Sequence, residues 1–135
     1  MSALLNIGAG NIADRLTILA LKLLHYGAAG TPTDHLRDER NALLVQLRSR
    51  KGGKDYTEEL LELAAVNGRL WTLTDQLRAL DNSETPRATT TLIHAGQIGI
   101  DILRLNDHRA KLVARINKAT GEWRGSEKGT GKDDG

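Results

Sequence analysis

TEELLELAAVNGRLWTLTDQLRAL, residues 57–80, is the stretch that decides the fold of this chain. Within it Leu60, Leu63, Leu70 and Leu77 recur at intervals of three and seven residues, the spacing that brings side chains onto one face of an α-helix. The hydroxyl and two carboxylates that open the stretch complement the free amides of a first helical turn. It predicts one helix of about six turns.

Three further helices are predicted around this one, because leucine and isoleucine keep helical spacing on both sides of it. The first is expected from Asn11 to Tyr26, the second up to Arg50, and the last from about Leu92 to Thr120. Apolar residues cover so much of the first helix that it should be buried on more than one side, as in a bundle or a dimer interface.

Two local features set expectations for where helices begin. Thr31 offers a hydroxyl cap, and Pro32 is predicted to occupy the first position of the second helix. Three threonines at 89–91, together with Gly96 and Gly99, weaken the first half of the last helix. That helix is therefore expected to begin late or to bend.

No strand pattern of comparable length occurs, so the predicted fold class is all-α. Four helices with short loops favour an antiparallel bundle in which the third and fourth form a long hairpin. A dimer that pairs two such hairpins is a second arrangement consistent with the pattern. Residues 1–10 are expected to be a flexible lead-in, 11–120 the bundle and 121–135 a disordered glycine-rich tail.

Composition excludes several classes of protein. The chain of 135 residues has no cysteine, so disulfides, thiolate nucleophiles and cysteine-based metal sites are absent. Its 19 basic and 17 acidic residues nearly balance, which gives no global field for nucleic acid. The N-terminus lacks the basic start of a secretory signal, and Lys22 interrupts the apolar stretch from Leu16 to Leu24. A cytoplasmic protein without a membrane span is expected.

One basic cluster, Arg48, Arg50, Lys51 and Lys54 around a glycine pair, could contact phosphates. A solvated helix end, with cations complementing its own dipole, explains the cluster better. It has no aromatic partners and no nucleic-acid motif around it. Nucleic-acid binding from Arg48 to Lys54 is therefore the least favoured of three functional hypotheses.

Metal-dependent chemistry has little support. The histidines are scattered singly, and the acidic third helix lacks the second acidic helix that all-helical nucleotide pyrophosphohydrolases use to bind magnesium. No catalytic residue, metal ligand or cofactor is assigned. A non-enzymatic role is favoured, and enzymatic activity is left open.

Polar side chains on faces that should be buried form the one candidate site. The set comprises Asp14, Lys22, Asn67, Trp71, Asp75, Arg78, Asn106, Asp107, Arg109, Arg115 and Asn117. Since unpaired burial of such groups is costly, they must find partners. One interpretation is an inter-helix network that fixes register, such as Asp75 with Arg109 or Asp14 with Arg78. The alternative is a polar pocket for an anionic or polyol ligand.

These residues fall in three blocks: DRLTILALK at 14–22, VNGRLWTLTDQLR at 66–78 and NDHRAKLVARINKATG at 106–121. The blocks resemble those of an uncharacterised bacterial family of small helical proteins. The resemblance implies a helical fold and a link to gene neighbourhoods of glycosyltransferases and surface-polysaccharide assembly, without naming a reaction. Ala20 and Thr74 stand where the family pattern has glutamate, so any chemistry of those glutamates would be lost here.

The leading functional hypothesis is an interaction module that associates with itself or with a helical partner protein. The second is a binding protein or enzyme for a small ligand, such as a sugar nucleotide or another anionic or polyol compound, held in the polar seam.

Overall fold

The computed structural model describes residues 7–50, 54–82 and 88–121. Four α-helices fill most of these ranges: α1 Ala9–Ala28, α2 Asp34–Arg48, α3 Thr57–Asp81 and α4 Thr89–Ala119. No strand occurs in those ranges. The prediction of an all-α bundle with a long α3–α4 hairpin is confirmed.

The start of α3 is held by a side chain just ahead of it. The Asp55 carboxylate accepts hydrogen bonds from the backbone amide of Thr57 at 3.0 Å and from its hydroxyl at 2.6 Å. These two bonds stabilise the ionised carboxylate and lower the pKa of Asp55. They satisfy one of the free amides of the first turn.

Two expectations about helix starts are wrong. Pro32 lies outside α2, which begins at Asp34 after Thr33. The last helix begins at Thr89 rather than late. A helical glycine costs about 1 kcal/mol relative to alanine, but this half of α4 lies along α3 and buries Ile98. Tertiary packing therefore outweighs the weak local propensity.

Contacts between helices give the directions of the chain. The backbone amide of Lys54 donates to the carbonyl of Ala119, and Glu62 contacts His108, so α3 and α4 are antiparallel. Arg15 of α1 contacts Glu39 of α2, while Ile7, just before α1, contacts Arg50, just after α2. Thus α1 and α2 are also antiparallel.

The first helix is the centre of the bundle, because two of its faces are buried. Its small face packs into a cluster shared with α3 and α4, formed by Ala9, Ala13, Leu63, Val66, Leu70, Leu112 and Ile116. Its larger face packs on α2 through Ile12, Leu19, Leu36 and Leu43. The prediction that this helix is buried on more than one side is confirmed.

The small residues at the start of α1 allow close approach to α4. A Cβ atom on Gly10 would collide with the carbonyl oxygen of Val113, and one on Gly8 would collide with the Asn117 side chain. Ala9 and Gly10 are buried. Gly8 to Gly10, expected to be part of a flexible lead-in, are instead packed into the bundle.

Residues 1–6 and 122–135, which carry the rest of the predicted lead-in and the predicted tail, lie outside the described ranges. Among the helices that are described, none combines the length and the apolar character needed to cross a membrane.

Candidate functional site

Asp14 and Arg109 form the central ion pair of the bundle. The guanidinium donates from Nε to Oδ1 at 2.9 Å and from Nη2 to Oδ2 at 2.6 Å, so the pair is bidentate. Only 17% of the Asp14 side chain and 32% of the Arg109 side chain are exposed. Such two-point geometry fixes orientation as well as distance. The pair ties α1 to α4.

Asn67 brings α3 into the same contact. Its side-chain amide Nδ2 donates to Asp14 Oδ1 at 2.9 Å and to the Thr17 hydroxyl at 2.7 Å. The Thr17 hydroxyl in turn donates to the backbone carbonyl of Asp14 at 2.8 Å. We call Asp14, Thr17, Asn67 and Arg109 the Asp14 cluster. It joins three helices at one level.

Electrostatics favour the charged form of this cluster. The hydrogen bonds to Asp14 raise the pKa of Arg109 above its ordinary value, against the opposing effect of burial. Asp14 accepts from both Arg109 and Asn67, so its charge is well compensated. The cluster therefore links the three helices through groups whose charges compensate each other.

The specific pairs suggested by the sequence are wrong. Asp14 pairs with Arg109 rather than with Arg78, and Asp75 does not reach Arg109. Instead Asp75 lies 3.9 Å from Arg78 on the same helix, with side chains that are 62% and 73% exposed. An exposed pair of this kind contributes little to stability.

A second set of polar contacts joins the C-terminal end of α4 to the start of α1. The backbone amide of Gly10 donates to Asn117 Oδ1 at 2.7 Å, and Asn117 Nδ2 donates to Asn11 Oδ1 at 3.2 Å. Asn117 is 3% exposed, so these bonds satisfy a buried amide. The sequence identified Asn117 but not the two residues at the start of α1 that it contacts.

A groove of about 580 Å³ lies between the second halves of α1 and α3, with Arg109 at its inner end. We call it the α1–α3 groove. Its lining includes six of the predicted polar residues, which are Lys22, Asn67, Trp71, Asp75, Arg78 and Arg109. Ile18, Leu21 and Leu70 supply apolar surface. The sequence thus predicted half of the residues that line this groove, but not the contacts that they make.

Aromatic rings form one wall of the groove, a feature that residue spacing did not predict. His25 stacks on Trp71 with ring centroids 4.7 Å apart and planes 10° apart. Tyr26 lies 6.3 Å from Trp71 at a tilt of 57°. Their meeting depends on the register between α1 and α3, which no local pattern reveals.

A smaller groove of about 460 Å³ runs between α1 and α4 on the other side of the Asp14–Arg109 pair. Asn11, Asn106 and Asn117 line it beside that pair. Asn106 therefore borders the Asp14 cluster without bonding to it in the described part of the chain.

Two predicted residues are not brought to the site. Asp107 is exposed. Arg115 lines a separate cavity with Lys54 and Glu59. The residues of the basic cluster do not form one described surface. Arg50 donates to the Ile7 carbonyl at 2.7 Å, and Lys51 lies outside the described ranges.

One structural ion pair was also missed. Arg15 of α1 donates from Nε and Nη2 to the two carboxylate oxygens of Glu39 on α2, at 2.8 and 3.0 Å. The bond raises the pKa of Arg15 and lowers that of Glu39. In the sequence Arg15 and Glu39 are only two charges on separate helices, and such charges usually face solvent.

The outer surface of α4 carries a row of apolar and small residues that the described part of the chain leaves largely exposed. We call it the α4 stripe, and it consists of Leu92, Ile93, Gly96, Gly99, Ile100 and Leu103. Its four large side chains are between 50% and 67% exposed. At 3.6 residues per turn, all six fall within about a third of the helix circumference, and His94 and Asp101 lie outside that arc.

Comparison of the chain with protein-family models, with curated proteins and with solved structures found no match. Membership of the uncharacterised helical family therefore stays a prediction.

Proposed function

We propose that the protein is a self-associating helical interaction module, in which the α4 stripe of one copy packs against the α4 stripe of a second copy. The observation that carries the proposal is the exposure of Leu92, Ile93, Ile100 and Leu103 together on one helix face. Single exposed leucines are ordinary on protein surfaces, whereas a contiguous apolar patch marks an interaction site.

The glycines of the stripe support close approach by another helix. A Cβ atom on Gly96 or Gly99 would meet nothing within 4 Å in the described chain. Packing within one copy therefore does not require glycine at either position, although each glycine costs helix stability. A second helix lying against this face would gain from the missing side chains.

The order of residues along the stripe fits a second copy of this chain. Large side chains stand at both ends, and the glycines stand near the middle. A two-fold axis near residue 98 would place Ile100 of each copy opposite Gly96 of the other, as a self-complementary interface requires. The two α4 helices would then form a short antiparallel coiled coil.

The size of the stripe predicts weak association. Its four half-exposed side chains offer roughly 400 Å² per copy, about half of what a standard stable interface buries on each partner. The glycine-rich stretch 122–135 has Trp123 as its one large apolar residue, so it is a poor candidate to cover the stripe. A reversible, concentration-dependent dimer is expected.

A cytoplasmic location and the family resemblance remain parts of the proposal. The Asp14 cluster supports the interaction role indirectly, because it satisfies its own charges and holds α4 rigidly against α1 and α3. A rigid helix presents its outer face without an ordering cost on association.

Sedimentation velocity over a concentration series tests the proposal directly. We expect the wild-type protein to shift from monomer to dimer as concentration rises, with the midpoint on the order of tens of micromolar. Leu103→Glu places a charge in the stripe and should keep the protein monomeric at every concentration.

Val45→Glu is the matched control, since Val45 is 66% exposed and Leu103 is 67% exposed. Val45 lies on α2, which packs on α1. The Val45→Glu variant should dimerise like the wild type. A wild-type protein that stays monomeric throughout, or a dimer unaffected by Leu103→Glu, would refute the proposal.

A further inference from the structure

We infer that the α1–α3 groove binds a small ligand that combines a flat ring with an anionic group. The inference is independent of the α4 stripe, which lies on a different helix face. It rests on three features of the groove: unused polar atoms at its inner end, an excess of positive charge, and an aromatic wall.

The inner end of the groove has hydrogen-bonding capacity that the protein leaves unused. Asn67 is only 4% exposed, and both of its described hydrogen bonds are donated by Nδ2. Its carbonyl Oδ1 accepts no hydrogen bond from any described residue, and it is not sealed from solvent. A ligand hydroxyl in the groove would therefore find an open acceptor in Oδ1.

Arg109, close to Asn67, also has a donor group that no described residue uses. The pair with Asp14 uses Nε and Nη2, and Nη1 makes no hydrogen bond to the described residues. Because Asp14 holds the guanidinium in a fixed plane, Nη1 is a preorganised donor for a carboxylate or phosphate oxygen.

The charges around the groove favour an anion. Lys22, Arg78 and Arg109 contribute three positive charges, and Asp75 and Asp14 contribute two negative charges, which leaves one positive charge. Lys22 forms no ion pair with the described residues. Its charge only helps to lower the pKa of Glu39, without a direct contact. Since Arg15 already binds Glu39, the Lys22 ammonium is available to a ligand.

The aromatic wall favours a flat ring. Trp71 is half-buried while His25 and Tyr26 are exposed, so the rings are open to solvent on the groove side where Ile18, Leu21 and Leu70 supply apolar surface. His25 of α1 and Trp71 of α3 stack on each other, which brings ring surface from both helices to the groove. The volume of about 580 Å³ lies within the range of small-molecule sites.

Titration followed by NMR of the Trp71 indole N–H tests the inference on the full chain. A Trp123→Phe variant assigns the two indole signals, because the chain has two tryptophans. The probes are ADP and 4-hydroxybenzoate, which carry both a ring and an anion, adenosine, which carries a ring alone, and inorganic pyrophosphate, which carries charge alone. We expect a saturable shift of the Trp71 signal with at least one of the first two. Which of them binds more tightly distinguishes a phosphate from a carboxylate ligand.

Lys22→Met should weaken that binding about tenfold. Lys111→Met is the matched control, because Lys111 is exposed on α4 away from the groove, and it should bind within about twofold of the wild type. Three results would overturn the inference: no saturable shift with either ring-bearing anion, equal losses in the two lysine variants, or pyrophosphate or adenosine binding as tightly as the combined probes.

Discussion

Asp14 and Arg109, 95 residues apart in the chain, form the bidentate pair that joins the first helix to the last. Asn67 donates to the same carboxylate from the third helix. One acidic side chain therefore links α1, α3 and α4. Because α4 carries the exposed stripe, this pair also anchors the helix that presents the proposed interface.

Replacing Asp14 should destabilise the fold substantially. Asp14→Ala leaves Arg109 without its acceptor, and leaves Asn67 with only the Thr17 hydroxyl, in a largely buried position. We expect the free energy of unfolding to fall by about 2–3 kcal/mol, less than for a fully buried pair because water reaches Arg109. Urea denaturation followed by circular dichroism measures it.

Asp75→Ala is the control for that experiment, because Asp75 is exposed and its pair with Arg78 is long. Its effect should stay within about 0.5 kcal/mol. Equal losses in the two variants would show that burial of the Asp14 cluster is not what stabilises the bundle.

Two glycines should respond in opposite directions when alanine replaces them. Gly10→Ala pushes a methyl group into the Val113 carbonyl and should cost about 2 kcal/mol or more. Gly68→Ala adds a methyl group in open space within α3 and should stabilise by about 0.5–1 kcal/mol. Thermal unfolding distinguishes them, and a gain in stability for Gly10→Ala would contradict the close α1–α4 contact.

The Arg15–Glu39 pair should make stability depend on acidity. The pKa of Glu39 is lowered from 4.5 in the folded protein, chiefly by its hydrogen bond from Arg15. Its contribution is therefore complete above the unfolded pKa and is lost as the pH falls through the lower folded value. Both side chains are 40% exposed, so the contribution should be below about 1 kcal/mol.

Glu39→Gln should accordingly be less stable than the wild type near pH 7, and the difference should shrink below about pH 4.5. Urea titrations at several pH values measure it. Wild-type and variant curves that run parallel across the acid range would rule out the pair as the source.

Replacing a glycine of the α4 stripe with alanine should stabilise the folded monomer but weaken dimerisation. Gly96→Ala and Gly99→Ala remove a weak helix former, so each should stabilise the monomer by about 0.5–1 kcal/mol. Each also adds a methyl group where a second helix is proposed to approach, so dimerisation should weaken. Gly68→Ala should stabilise to a similar extent without changing dimerisation. Unaltered sedimentation of both stripe variants would argue against close helix contact.

Much of the fold follows from local spacing. The period of the leucines in 57–80 is a property of the helix itself, so α3 matches its expected bounds closely. The start of α4 was not predicted correctly. Its threonines and glycines have low helix propensity, but contact with α3 stabilises the helix from Thr89 onward. Local patterns therefore predicted where helices exist better than where they begin.

The candidate site shows the same division. Spacing placed Asp14, Asn67 and Arg109 on buried faces, and the structure brings them together. Asp107 could have been excluded, since two residues from Arg109 is about 200° around a helix. The identity of each partner depends on how far neighbouring helices slide and rotate. Hence Asp14 could not be assigned to Arg109 rather than to Arg78 from the sequence.

Single cysteines provide the most direct test of the proposed α4–α4 interface, because the chain contains none of its own. In the antiparallel arrangement Gly99 lies close to its counterpart across the two-fold axis, whereas the two copies of Leu92 are about 18 Å apart along the helices. Under mild oxidation we therefore predict that Gly99→Cys forms a disulfide-linked dimer and that Leu92→Cys and Val45→Cys do not. Equal cross-linking of all three variants, or none in Gly99→Cys, would contradict the account.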